Sequence, residues 1–278
     1  MKARSVVTPE GIPAENPRVF GTAPYSVVLL HGGPGAAGEM APVARELAAT
    51  RGVLEPLQTA DTIEGQLAEL REILERRADR PVVLAGYSWG AMLAFMYAAR
   101  FPGDVGKLIL ISSGAFEPES AGRILPDRLS RLSESESREL DTLMARLEDP
   151  AVPEKERDRA LARLGEIMGR ADAYRLGFTD EATVEVNFRI HQRVWAEALA
   201  LRSDGRLLAL GASIRCPVVA IHGDHDPHPA EGVRSPLARV VKDFKFVLLE
   251  KCGHRPWLEL EAREAFFTFL KEEISSFR

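Results

Sequence analysis

Hydrophobic and polar positions alternate along this chain in two rhythms. Short apolar, β-branched runs recur at 26–31 (SVVLLH), 52–57 (GVLEPL), 81–86 (PVVLAG), 107–112 (KLILIS), 216–222 (CPVVAIH) and 244–250 (FKFVLLE). Their near-continuous apolarity predicts strands covered on both faces, as in a parallel sheet. Longer amphipathic stretches separate them. Apolar residues at helical spacing predict a helix over 62–78, and 258–274 reads as a closing amphipathic helix. The stretch 89–101 (WGAMLAFMYAARF) is nearly all apolar, so its helix should lie buried against the sheet. The expected fold class is α/β, a mostly parallel sheet with helices on both faces.

The alternation stops between about 116 and 210. No strand-like run occurs there. Charged helical patterns follow one another instead: PDRLSRLSESESRELDTLMARLED, PEKERDRALARLGEIMGRADAY and EATVEVNFRIHQRVWAEALALR. Proline and glycine (Pro126, Pro150, Pro153, Gly177) punctuate them. This predicts an all-helical cap, or lid, at 116–210, inserted into a core of 1–115 and 211–278. The run SESESRE reads as a solvated helix face. Near the N-terminus, SVVTP and PRVFG read as one small edge pair.

Composition narrows the class. With 278 residues, 45% of them hydrophobic, the chain can bury a substantial core. A net charge of -5 argues against nucleic acid or an anionic membrane as partner. The opening MKARSVVTPEGIP lacks an apolar signal core, and no run approaches the roughly 20 apolar residues of a membrane span. The expectation is a soluble, cytoplasmic protein whose oligomeric state stays open. Cys216 and Cys252 are expected as reduced thiols. No cluster has zinc-ligand spacing, so neither metal nor cofactor is expected.

Candidate chemistry begins at GYSWG, where Ser88 stands between Gly86 and Gly90 at the junction of a predicted strand and helix. A bare Gly-x-Ser-x-Gly arises by chance in roughly one chain in ten of this size. The strand-to-helix context makes it a nucleophile elbow. A serine hydroxyl needs a base, an acid to orient the base, and donors for the oxyanion. LLHGGPG (29–35) also follows a strand, and its backbone can supply one such donor. Gly33 and Trp89 are the expected oxyanion N–H groups, with His31 read as an imidazole that ties down the loop. HGDHDPHP ends another strand and offers Asp226 as the acid, with Asp224 as fallback. CGH ends the last strand and offers His254 as the base. His222, His225 and His228 raise the thought of a metal cluster, but no Glu or Cys set supports one.

With HGGPG, GYSWG, HGDHD and CGH together, the chain resembles the α/β-hydrolase fold, and in particular the proline iminopeptidase family. The resemblance implies a triad of Ser88, Asp226 and His254, an oxyanion hole at Gly33 and Trp89, and a small-molecule or short-peptide substrate. Peptidase members hold the substrate amine with glutamates, one of them just after the triad Asp in some members. Here that position is Pro227. Glu185 and Glu231 are the candidate substitutes, each also readable as a solvated side chain. Trp195, Phe188 and Trp257 are candidate pocket linings, each also readable as packing. Three functions compete: an aminopeptidase-like amide hydrolase, a carboxylesterase, thioesterase or lactonase with the same triad, and a non-catalytic binding protein on the same fold.

Overall fold

The structure is a computed structural model that describes residues 6–7, 13–179 and 184–277. Strands β1 (Val6–Val7) and β2 (Pro13–Ala14) pair with each other. The main sheet comprises β3 (Arg18–Phe20), β4 (Tyr25–Leu30), β6 (Gly52–Glu55), β7 (Val82–Tyr87), β8 (Val105–Ile111), β10 (Val218–Gly223) and β11 (Phe244–Leu249). A second two-stranded ribbon pairs β5 (Ala36–Ala37) with β9 (Glu185–Val186). The main sheet runs β11-β10-β8-β7-β4-β6-β3. Every neighbouring pair in it is parallel except β3 with β6, at one edge.

All six expected strands form within two residues of their predicted ends. Their continuous apolarity has the expected cause. Val28, Leu30, Leu84 and Leu110 pack on one face, and Val27, Leu29, Val83 and Ile109 on the other. Successive side chains point to opposite faces, so a strand covered on both sides must be apolar throughout. Helix α1 (Ala41–Ala48) and the last helix, α11 (Arg263–Ser275), cover one face. Helices α2 (Ile63–Arg77) and α3 (Trp89–Arg100) cover the other. Thr62 caps α2, its hydroxyl accepting from the Gly65 N–H at 3.1 Å. Among the described residues no helix is long and apolar enough to cross a membrane.

Between β8 and β10 lie α4 (Pro118–Ala121), α5 (Ile124–Leu129), α6 (Glu134–Glu148), α7 (Glu154–Ala171), α8 (Phe188–Ser203) and α9 (Arg206–Ala209). Leu143, Leu147, Ala160, Ile167 and Phe188 give this insertion a small core of its own. A short helix α10 (Glu231–Val240) separates β10 from β11.

Four expectations change. The insertion is not wholly helical, because β9 adds an antiparallel strand to β5. SVVTP and PRVFG do not pair with each other: Val6–Val7 meets Pro13–Ala14, and Arg18–Phe20 joins the main sheet, while Ser5, Thr8 and Pro9 lie outside the described residues. The stretch 126–149 does not form one helix. Ser133 and Glu136 form a reciprocal capping box that begins α6 afresh. The closing helix starts at Arg263 rather than near 258, because Glu259 is engaged elsewhere. Its carboxylate accepts N–H groups from Gly253, Tyr174 and Arg175 at 2.7–2.9 Å.

Candidate active site

Ser88 is the sharp turn between β7 and α3, with φ 52° and ψ -114°. Such a conformation is costly for a residue with a Cβ, and it persists only where the surroundings over-determine it. Here the Ser88 N–H donates to the Ile111 carbonyl of β8 at 2.9 Å. A Cβ on Gly86 would collide with the Gly90 backbone, and one on Gly90 with the carbonyls of Leu30 and His31. Both glycines are therefore required by close backbone approach. The result presents the Ser88 hydroxyl at the N-terminal end of α3, where unpaired N–H groups favour negative charge.

Two loops from far along the chain reach that hydroxyl. His254, after β11, places Nε2 at 3.1 Å from Ser88 Oγ. Its Nδ1 lies 2.7 Å from Asp226 Oδ2, after β10. A buried carboxylate accepts, so Nδ1 carries the proton and Nε2 turns its lone pair to the serine. The Asp226 side chain is fully buried among imidazoles. Burial by itself raises a carboxyl's pKa, but His254, His228 and His222 outweigh it and hold Asp226 well below the usual carboxylate range. Asp224, the fallback acid, points elsewhere and accepts the Cys252 N–H at 3.0 Å.

The family model described as the alpha/beta hydrolase family matches residues 27–268. The chain belongs to the alpha/beta hydrolase family. Monoacylglycerol lipase ABHD6 from Homo sapiens is 26% identical over 219 residues, which are 78% of this chain and 61% of that protein. The chain thus spans about three-fifths of that relative's length. The crystal structure of Paleococcus ferrophilus monoacylglycerol lipase superposes with a TM-score of 0.59 at 17% identity, covering 94% of this chain and 98% of the other. Proline iminopeptidase from Mycobacterium smegmatis gives 0.57 at 18% identity, covering 93% and 95%.

Within this alpha/beta hydrolase the other expected residues fall in different places. Gly33 sits in the loop after β4 with φ 22°, in a turn closed by the Ala36 N–H on its carbonyl. Trp89 is the first residue of α3, so its N–H has no acceptor within the helix. The Trp89 indole points away into the core and donates to Gln66 Oε1 at 3.1 Å. His31 is buried and accepts the Gln58 N–H on Nε2 at 3.1 Å, which leaves Nδ1–H for the Gly32 carbonyl at 2.9 Å. Glu185 lies half-buried on β9, opposite Ala37 of β5, and burial raises its pKa. Glu231 is exposed on the first turn of α10 and bonds within that helix, to Ser235 Oγ at 2.7 Å. Trp195 stacks on His191 and lies beside the Arg202 guanidinium. Phe188 belongs to the insertion core, and Trp257 is packed between Tyr87 and Phe266.

Several residues around the site carried no sequence signal. Arg128 of α5 grips Asp172 with two hydrogen bonds at 2.6 and 2.7 Å. The Asp172 carbonyl in turn accepts the His254 N–H at 3.0 Å. Arg131 bridges the carbonyls of Ala171 and His225. These charges sit in a stretch full of charges, so nothing in their spacing singles them out. His228, weighed on the sequence only as part of a metal cluster, lies two residues after Asp226 and donates to it through its ring. Asp226, His228 and His254 offer ligand atoms within 4.8 Å of one another, whereas His225 packs on Tyr174 outside that group. Both Nδ1 atoms of the group are already engaged with Asp226.

The buried imidazoles make stability pH-dependent. Burial lowers the His31 pKa from 6.5 to about 4 and also lowers that of His222. Between those values the unfolded chain binds protons that the folded chain refuses. Their contribution is therefore complete above pH 6.5 and declines as pH falls toward 4, by about 3 kcal/mol for His31 alone. Urea titrations should show the unfolding midpoint dropping across this window. A midpoint that stays level from pH 6.5 to 4.5 would contradict the assignment.

Proposed function

We propose that this protein is a serine hydrolase that cleaves esters of small, largely apolar acyl groups through an acyl-enzyme on Ser88. The observation that carries the reading is the continuous hydrogen-bonded chain from Ser88 Oγ through His254 to Asp226. In this reading His254 removes the Ser88 proton as Oγ attacks the acyl carbon. The imidazolium then protonates the leaving alkoxide. A water deprotonated by His254 later attacks the acyl-enzyme and returns Ser88 free. Asp226 holds the imidazole in the required tautomer and stabilises its cation. The Gly33 and Trp89 N–H groups receive the oxyanion, each worth about 2.7–4 kcal/mol of transition-state stabilisation. The insertion at 116–210 serves as a cap whose Asp172 and Arg128 steady the His254 loop. No cofactor takes part in this sequence of steps.

Ester is preferred to amide for a structural reason. An aminopeptidase must hold a cationic amine near the oxyanion site, and Asp226 is followed by Pro227 rather than an acid. Glu231 is exposed and bonded within its own helix. The names of the lipase relatives point the same way. One observation favours the aminopeptidase alternative, the proline iminopeptidase-like reading. Glu185 is half-buried on the strand that pairs with the loop holding Gly33, and burial leaves its carboxylate short of compensation. The test is a panel of p-nitrophenyl acyl esters set against amino-acid anilides. Short-chain esters should be turned over far faster. Faster anilide turnover, lost in Glu185→Gln, would install the peptidase reading instead. An intact triad that hydrolyses neither and resists a fluorophosphonate would leave the non-catalytic binding protein.

A further inference from the structure

The HGDHDPHP stretch places two imidazoles, His222 and His228, against the Asp226 carboxylate, and the proposed mechanism uses neither. His228 is the more closely engaged. Its main-chain N–H donates to Asp226 Oδ1 at 2.9 Å, and its ring Nδ1 lies 2.8 Å from the same oxygen. His254 takes the other oxygen, Oδ2, at 2.7 Å. The rings of His228 and His254 stack with centroids 4.2 Å apart and planes 18° from parallel. Two nearly parallel imidazoles thus divide a single carboxylate between them.

We propose that His228 is a positioning residue that pins Asp226 Oδ1, so that Oδ2 alone faces His254, and that supports the His254 ring by stacking. This rests on the serine-hydrolase reading above. An aspartate at a strand end can rotate its carboxylate, and each rotation would move the acceptor away from Nδ1. Two donors on Oδ1 remove that freedom. His222 secures the arrangement from behind, its Nε2 lying 2.8 Å from the His228 carbonyl and 3.5 Å from Asp226 Oδ2. Burial first, and the neighbouring His254 next, keep His228 neutral, with its pKa lowered to about 4. It therefore donates a hydrogen bond without adding a second cation when His254 becomes charged.

The surroundings leave the carboxylate as the principal charge facing the pair. Tyr87 contributes its ring, 5.0 Å from that of His254. Asp172 presents its main-chain carbonyl to the His254 N–H, and its carboxylate is held by Arg128, the nearby cation. Glu39 and Arg255, the residue next to His254, act electrostatically on Tyr87. A hydrogen bond from His228 draws charge from the carboxylate and weakens its hold on an imidazolium at His254. Removing the ring donor leaves only the main-chain N–H on Oδ1 and returns part of that charge to the side facing His254. The charged imidazolium is then favoured, and the acid limb of the pH profile moves upward.

Two substitutions separate the donor from the ring. His228→Phe retains a stacking ring and the main-chain N–H but loses the ring donor. His228→Asn retains an N–H at the place of Nδ1 without the ring. With the best p-nitrophenyl ester, His228→Phe is expected to lower kcat about tenfold with KM little changed. Its kcat/KM acid limb should shift to higher pH by about half a unit. His228→Asn should restore most of kcat and the wild-type limb. A His228→Phe enzyme with wild-type kcat and pH profile, or a His228→Asn enzyme as impaired as His228→Phe, overturns the proposal. The low-field proton resonance of His254 Nδ1–H provides a readout independent of turnover. It should move or broaden in His228→Phe and return in His228→Asn, and an unchanged resonance in both counts against the role. A wild-type protein that neither labels nor turns over esters would instead refute the hydrolase reading, and the resonance would still judge His228.

Discussion

Ser88→Ala is expected to eliminate ester turnover and fluorophosphonate labelling together, with kcat falling by about 10⁶. The size of the loss follows from the geometry. Ser88 Oγ is the hydroxyl that His254 Nε2 reaches, and a methyl group in its place offers no atom to carry the acyl group. On the proposed pathway, its removal takes away the covalent intermediate and leaves the proposed oxyanion donors to act on water alone. The fold should survive. Alanine keeps a Cβ, so the elbow retains its φ of 52° and the strain that goes with it. Ser88→Gly is the informative companion, because glycine accepts that conformation freely. It should be equally inactive yet more stable, by about 1–3 kcal/mol. Paired activity and urea-unfolding measurements on the two variants check both halves. Ester turnover by Ser88→Ala at more than a thousandth of the wild-type rate would sink the assignment.

Asp226→Asn should cost about 10⁴ in kcat, with little change in folding. The local hydrogen bonds dictate the direction. Two donors from His228 converge on Oδ1. An asparagine placed there would turn its carbonyl oxygen toward them, and its amide nitrogen would then occupy the place of Oδ2, facing His254 Nδ1. That nitrogen only donates. His254 would have to accept at Nδ1 and carry its proton on Nε2, pointed at Ser88, which is the wrong tautomer for a base. Asp224→Asn is the control, since Asp224 holds the Cys252 N–H and does not touch His254. It should stay within a few-fold of wild type. Comparable losses in the two variants, or a tenth of normal activity in Asp226→Asn, would remove Asp226 from its role.

Most of the sheet was legible because its signal is local. The run at 82–87 is apolar on both faces because both are covered, and Val27, Val28, Leu29 and Leu30 repeat the logic on β4. The elbow was legible for a related reason. Close backbone approach restricts Gly86 and Gly90 to the smallest residue, and that restriction is written into the sequence itself. The marginal strands were not legible. β9 has two residues and owes its existence to β5, about 150 positions away, so no window on either segment could announce it. Ser133 looked like part of a charged helix face until its capping box with Glu136 made it a helix start.

By itself, then, the sequence determined the order of the sheet-forming runs, the serine turn, and which Asp and His stand at strand ends. Those follow from steric and burial demands on a few consecutive residues. The strand-end pattern already favoured Asp226 over Asp224 as the acid; tertiary structure alone decided that its carboxylate reaches His254, that His228 shares it, and that Arg128, Asp172 and Glu259 bind the insertion to the His254 loop. Such contacts depend on distances and angles between segments remote along the chain. A carboxylate two positions nearer or farther leaves the local pattern intact while changing every partner it meets.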